Sequence, residues 1–204
     1  TGVQTCALPI LVTLDQDSVV CLNIITEYNT ILNSYNNVGL LTCNIVDRNY
    51  SLNSENKSKN DEQVDFCITS GSLVNISVWD KISGFNEILF IDCVDLDYCI
   101  RLRNAGYSII KSSKTSILHE LGNSRVIKLF NKELLVNNHS AFRDYYIIRN
   151  QIVITRRYYS GLKEIKRFTN VVLLRIFIIL CYEDNHYGKL KMIIKGFIDG
   201  MKME

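Results

Sequence analysis

Ile10-Leu11-Val12-Thr13-Leu14-Asp15-Gln16-Asp17-Ser18 is the stretch on which the reading of this chain turns. An apolar run, residues 11–14, has strand character and ends in two carboxylates spaced i, i+2. Strand side chains repeat with period two, so Asp15 and Asp17 can point to one side. Two hard oxygen ligands on one side suit a divalent cation, Mg²⁺ or Mn²⁺, and such a cation commonly accompanies a substrate diphosphate. Taken alone, Asp-x-Asp is common by chance and is more often a solvated turn.

Outward from that pair, strand and helix signals alternate. Residues 19–32 place Val20, Ile24, Ile25, Tyr28, Ile31 and Leu32 at helical spacing. Residues 38–46 form an apolar run expected as a strand. The polar, aperiodic residues 49–63 are expected as a loop. A strand over 64–69 leads into Ser70-Gly71-Ser72, a turn whose backbone N–H groups could cradle a ligand or simply join strand to helix. A short helix over 74–81 comes next, then a helix over 94–105 that Gly106 stops. Residues 107–111 and Ile117-Leu118-His119 supply further strand signals. The alternation indicates an α/β sheet domain over residues 11–139. From Ser140 the character changes to helices over 142–159, with a basic face of Arg143, Arg149, Arg156 and Arg157, and over 171–181 and 189–201. Residues 140–204 are therefore expected as a helical C-terminal region.

Composition narrows the class. The chain has 204 residues, 47% of them hydrophobic, enough for one globular core plus an appendage. A net charge of +2 is too small to argue for nucleic acid. The seven Cys form no CxxC and no Cys/His cluster, which fits reduced thiols in the cytoplasm. The most apolar segment, 171–181, is interrupted by Arg175 and falls short of the roughly 20 apolar residues that span a bilayer. It suits a membrane surface or a packed helix. Residues 1–10 do not match the rest of the chain and resemble translated sequencing-adapter read-through, which would put the start of genuine sequence near Leu11.

Two further constellations bear chemistry. Asp92, Asp95 and Asp97 fall within Phe90-Ile-Asp-Cys-Val-Asp-Leu-Asp-Tyr-Cys-Ile-Arg101. On a helix Asp95 and Asp97 lie about 200° apart, so one can act while the other caps or pairs. Acids also suit a helix N-terminus through the dipole alone. His119 comes after an apolar pair and is either a metal ligand or an ordinary hydrogen-bonded His.

Five stretches occur together in one order: Thr13-Leu-Asp-Gln-Asp-Ser18, Ile68-Thr-Ser-Gly-Ser72, Gly84-Phe-Asn-Glu87, Leu89-Phe-Ile-Asp-Cys-Val-Asp-Leu-Asp-Tyr-Cys-Ile-Arg-Leu-Arg103 and His119-Glu-Leu-Gly122. In this the chain resembles family 2 glycosyltransferases, in particular the bacterial rhamnosyltransferase branch. The Arg149-Asn150 pair and Lys195-Gly-Phe-Ile-Asp-Gly200 are also similar to that branch.

The resemblance implies a GT-A fold that binds a nucleotide sugar and a divalent cation. Asp15 and Asp17 match the Asp-x-Asp motif that contacts the metal-diphosphate and ribose, and His119 matches a late His that completes the metal site. Asp95 matches the catalytic base. Ser70, Gly71 and Ser72 match the segment lining the donor and acceptor pocket. Asp92 and Asp97 are placed at that pocket too and stay open as alternatives for the base, because many relatives carry two adjacent acids where this chain has Val94-Asp95. The implied reaction is an inverting, metal-dependent transfer, with dTDP-L-rhamnose as donor. The implied acceptor is a cell-surface glycan or a lipid-linked sugar at the inner face of the membrane. In the family, nucleotide-gripping strands precede the Asp-x-Asp motif. The 204-residue polypeptide is therefore expected to lack its nucleobase pocket and to bind nucleotide sugar weakly or not at all. A catalytically inactive, membrane-associated interaction module and a metal-dependent phosphohydrolase remain as alternatives.

Overall fold

The computed structural model describes residues 10–16, 18–47, 59–119, 125–129 and 132–203. The chain divides into two units, one comprising residues 1–86 and 95–120, the other 87–94 and 121–204.

The first unit is built on a six-stranded mixed sheet: β1 (Ile10–Thr13), β2 (Val19–Val20), β3 (Val38–Asp47), β4 (Glu62–Gln63), β5 (Ser72–Asn75) and β6 (Ser108–His119). The spatial order is β1-β5-β3-β6-β2, with β4 also paired to β6. β3 and β6 run parallel, and the other pairings are antiparallel. Adjacent residues send their side chains to opposite faces. Leu41, Leu73 and Ile110 pack on one face with Ile24, Tyr28 and Ile31 of α1 (Ile24–Ser34). Their neighbours Leu40, Val74 and Ile109 pack on the other face, with Val78 of α2 (Ile76–Lys81) and with Tyr98, Cys99 and Leu102 of α3 (Val94–Asn104). Both faces are therefore covered, which explains why these strands read as continuous apolar runs and not as alternating ones.

Several boundaries differ from the sequence expectation. The helix expected from residue 19 begins at Ile24, because Val19 and Val20 pair with Leu118 and Ile117. The strand expected over 64–69 is absent; β5 lies at Ser72–Asn75, between β1 and β3. The chain leaves β6 after the Val64 N–H bonds Ile109 O at 3.0 Å, and β3 already has β5 and β6 as neighbours. The two strand signals at 107–111 and 117–119 belong to the single strand β6. Its register with β3 shifts between Thr42 and Asn44, where the Asn44 side-chain amide donates to Ser112 O and Thr115 O, both at 3.2 Å. Most of the expected 49–63 loop lies outside the described residues, but Glu62 and Gln63 at its end pair with β6. Residues 1–9 also lie outside the description.

The second unit contains a hairpin, β7 (Arg125–Leu129) with β8 (Lys132–Val136), and three helices: α4 (Ala141–Tyr158), α5 (Gly161–Tyr182) and α6 (His186–Lys202). Ile148, Ile152, Ile179 and Ile193 form its core. α4 and α6 approach closely because Gly196 and Gly200 have no side chain: a Cβ on Gly200 would lie 2.7 Å from Arg149 O. The unit also holds a buried charged network. Arg175 bonds Asp144 and both Glu183 carboxylate oxygens, and Lys189 joins Glu183 at 2.7 Å and Asn138 at 2.8 Å. Burial pushes the Asp144 carboxyl up to about 6, although Arg175 pulls it back. Burial, with Arg143 and Arg175 nearby, lowers His139 to about 4. Among the described residues, no helix is long and apolar enough to cross a membrane.

Candidate functional site

The turn that carries Asp15 is fastened to Ser70-Gly71-Ser72. β1 ends at Thr13, and the Ser18 N–H bonds Asp15 O at 3.0 Å to close the turn. Ser70, itself buried, accepts from the Asp15 N–H at 3.2 Å and shares a hydroxyl–hydroxyl bond with Ser18 at 2.7 Å. The Gly71 N–H donates to Thr13 O at 2.8 Å, and the Thr13 hydroxyl donates to Thr69 O at 2.5 Å. The buried Tyr28 hydroxyl reaches Gly71 O at 2.5 Å, and the Ser72 hydroxyl reaches Ile68 O at 2.7 Å. This set holds the Asp15 backbone while leaving its side chain exposed.

Gly71 is the pivot. Its φ of +73° is a conformation that L side chains rarely adopt, and a Cβ would lie 2.9 Å from Ile117 Cγ2 and 3.0 Å from Cys43 Sγ. Gly71→Ala is expected to lower unfolding free energy by about 1–3 kcal/mol, read as a fall in urea midpoint at unchanged slope.

His119 ends β6. Its backbone pairs with Asp47 at the end of β3, and the preceding Leu118 pairs with Val19, the residue after Ser18. Three features far apart in the chain thus meet by backbone at one end of the sheet: the Asp15 turn, Ser70-Gly71-Ser72 and His119. Asp17 and the His119 side chain lie outside the described residues. Among the described residues no three His, Cys, Asp or Glu side chains converge. The oxygen-rich donor set proposed from sequence is chemically suited to Mg²⁺ or Mn²⁺.

The acids of α3 are in different settings. Asp97 is fully buried and accepts from Arg101 Nε at 2.7 Å. Arg101 also donates to Ile82 O at 2.5 Å and Gly84 O at 2.7 Å. The pair therefore fastens the 82–84 turn to α3. That turn is tight: Gly84 has φ +60°, and a Cβ would lie 2.7 Å from the Trp79 ring. Asp95, about 200° round the helix from Asp97, is half-buried.

Asp92 belongs to the second unit. Arg143 grips both its carboxylate oxygens at 3.0 Å. Asn150 Nδ2 donates to Leu89 O and Ile91 O at 2.7 Å and to Asp92 O at 2.9 Å. Arg149 Nη2 donates to Ile88 O at 2.6 Å and Leu89 O at 3.1 Å. Sequence reasoning gave Arg143, Arg149 and Asn150 no role at the site. The available signal was the Arg149-Asn150 pair itself, which the motif resemblance singled out without giving it a role; both residues are buried in α4.

No protein-family model matches the chain. Among curated proteins it is similar to a dTDP-rhamnosyl transferase, RfbF, of Shigella flexneri. The two are 27% identical over 135 residues, which is 66% of this chain and 45% of that protein. The match thus spans less than half the length of that relative. The similarity supports a glycosyltransferase-like relationship. The mixed sheet flanked by helices is compatible with a GT-A-like fold.

Proposed function

We propose that this chain belongs to an inverting family 2 glycosyltransferase that moves L-rhamnose from dTDP-L-rhamnose to a glycan or lipid-linked acceptor. The observation that carries the reading is the 135-residue similarity to a dTDP-rhamnosyl transferase. The fastening of the Asp15 turn to Ser70-Gly71-Ser72 supports it, because a diphosphate site needs a positioned carboxylate.

In this reading Asp15, Asp17 and His119 hold a divalent cation, which when bound offsets charge on the leaving diphosphate. Asp95 accepts the proton of the acceptor hydroxyl as that oxygen attacks the anomeric carbon, and the bond to the diphosphate oxygen breaks on the opposite face. Asp97, held by Arg101, keeps α3 and the 82–84 turn in place. Backbone groups of the Ser70-Gly71-Ser72 turn border the donor.

A membrane-surface location fits the second unit. Residues 140–204 carry twelve Lys or Arg against six Asp or Glu, a net +6, while residues 1–139 carry eleven against fifteen, a net −4. Leu173, Phe177 and Leu180 of α5 and Ile194 and Ile198 of α6 are exposed. A basic, apolar surface suits anionic lipid, where a lipid-linked acceptor would lie.

The test is calorimetric titration of the full product of the gene with dTDP, in Mn²⁺ and in chelator. Saturable binding is expected in Mn²⁺ only, weakened at least about tenfold by Asp15→Asn. Equal binding in chelator would remove the metal from the proposal.

A further inference from the structure

We propose that Phe90, Phe142 and Tyr146, rimmed by the Asp92–Arg143 ion pair, form a saccharide subsite that stacks one pyranose ring of the acceptor. This rests on the glycosyltransferase reading and names the part of the acceptor that the second unit binds. Phe90 is 67% exposed and Phe142 55% exposed, yet both touch Tyr146, with ring centroids 5.2 and 5.0 Å away. Arg149 lies against Tyr146, 4.5 Å from its centroid, and fixes the middle ring.

The outward Phe90 is held in place at a cost. Phe90, Asp92 and Cys93 have φ of +60°, +63° and +63°, a region that is strained for non-glycine residues. A free segment would relax and turn the apolar ring inward. Side-chain hydrogen bonds from α4 prevent it: those of Asn150, Arg149 and Arg143 to residues 88–92. Strain sustained by a buried clamp, with an aromatic ring left in solvent, points to a ligand for that ring.

The chemistry selects a sugar. One face of a pyranose is a patch of C–H groups with slight positive charge, which the negative face of an aromatic ring attracts. Its edge carries hydroxyls, which suit the half-exposed Arg143 donors and Asp92 acceptors. The rim pair is neutral overall, so it offers no general attraction for a lipid phosphate. Asp92 stands three residues before Asp95 in the chain.

Saturation-transfer NMR on the 204-residue chain tests the subsite, with methyl α-L-rhamnopyranoside and methyl α-D-glucopyranoside as probes and glycerol as control. Transfer to pyranoside ring C–H protons and not to glycerol is expected. Phe142→Ala and Phe90→Gly should each weaken binding about tenfold, and Phe142→Tyr should retain it. Glycine suits the positive φ, so Phe90→Gly removes the ring without disturbing the backbone. No transfer from either probe, or equal transfer in both variants, overturns the proposal. The dTDP titration above keeps the two readings apart. Pyranoside contact without dTDP binding supports the subsite and removes the transferase; dTDP binding without pyranoside contact overturns the subsite alone.

Discussion

Asp95→Asn in the full product of the gene is expected to lower turnover by roughly 10²–10⁴-fold, the range a positioned general base contributes. Donor binding should stay at the wild-type value. The substitution is nearly isosteric and, in the proposed mechanism, removes the group that takes the proton from the acceptor hydroxyl. Asp97→Asn separates the roles. Its buried carboxylate holds Arg101, which in turn holds the Ile82 and Gly84 carbonyls. That variant, at a fully buried carboxylate, should lose stability along with activity, whereas Asp95→Asn, at a half-buried one, should act chiefly on turnover. Turnover that survives Asp95→Asn with unchanged kcat would transfer the base to another residue or deny the chemistry.

Arg175→Met is expected to cost about 3–5 kcal/mol of unfolding free energy, a large share of the roughly 5–15 kcal/mol that folded proteins commonly have. Arg175 is 9% exposed, while the Asp144 and Glu183 side chains that it bonds are fully buried. Removing it strands two carboxylates beside Lys189 alone. Converting the whole network, with Asp144→Leu, Glu183→Leu and Lys189→Met added, should restore much of the loss, because no buried charge is then left without a partner. Burial raises the Glu183 pKa, but hydrogen bonds from Arg175 and Lys189 outweigh it and hold the carboxyl below its usual range. Its folded pKa is therefore depressed. The stability from this group is present above the ordinary Glu range and lost as pH falls through the folded value. Arg175→Met should flatten that acid limb and deepen the opposite one, in which Asp144, raised to about 6 by burial, costs stability as pH rises through the carboxylate range. Urea unfolding across pH 3–7 reads both effects (about four units spanning the carboxylate range).

The architecture was legible where one element decides its own form. The helix expected over 142–159 is α4, Ala141–Tyr158, because its apolar residues repeat at helical spacing and Ser140 caps it through a 3.2 Å bond to the Arg143 N–H; Arg149, expected on a basic face, is instead buried. α3 stops just before Gly106 for the same local reason, with φ +83° at that glycine. Elements set by pairing were less legible. Val19 and Val20 continue a helical pattern in sequence, yet pairing with β6 makes them a strand. The 64–69 run is as apolar as a strand, but only Ser72–Asn75 finds two neighbours.

The site divides in the same way. That Asp95 and Asp97 could not share a face came from about 100° per residue, and Asp97 is the one buried in an ion pair. The clamp of Arg143, Arg149 and Asn150 on residues 88–92 joins positions 51 to 61 residues apart, so no local pattern announced it. The positive φ of Phe90 and Asp92 was equally invisible, because nothing in those residue types requires it.

The most direct measurement is mass spectrometry of the acceptor fraction after the full gene product is incubated with dTDP-L-rhamnose, a lipid-linked or oligosaccharide acceptor and Mn²⁺. A rhamnose increment on the acceptor, with one dTDP released per increment, is expected from wild type. It should be absent in chelator and from Asp95→Asn. Release of free phosphate or free rhamnose without a glycoside, or the same increment from Asp95→Asn, would contradict the transferase.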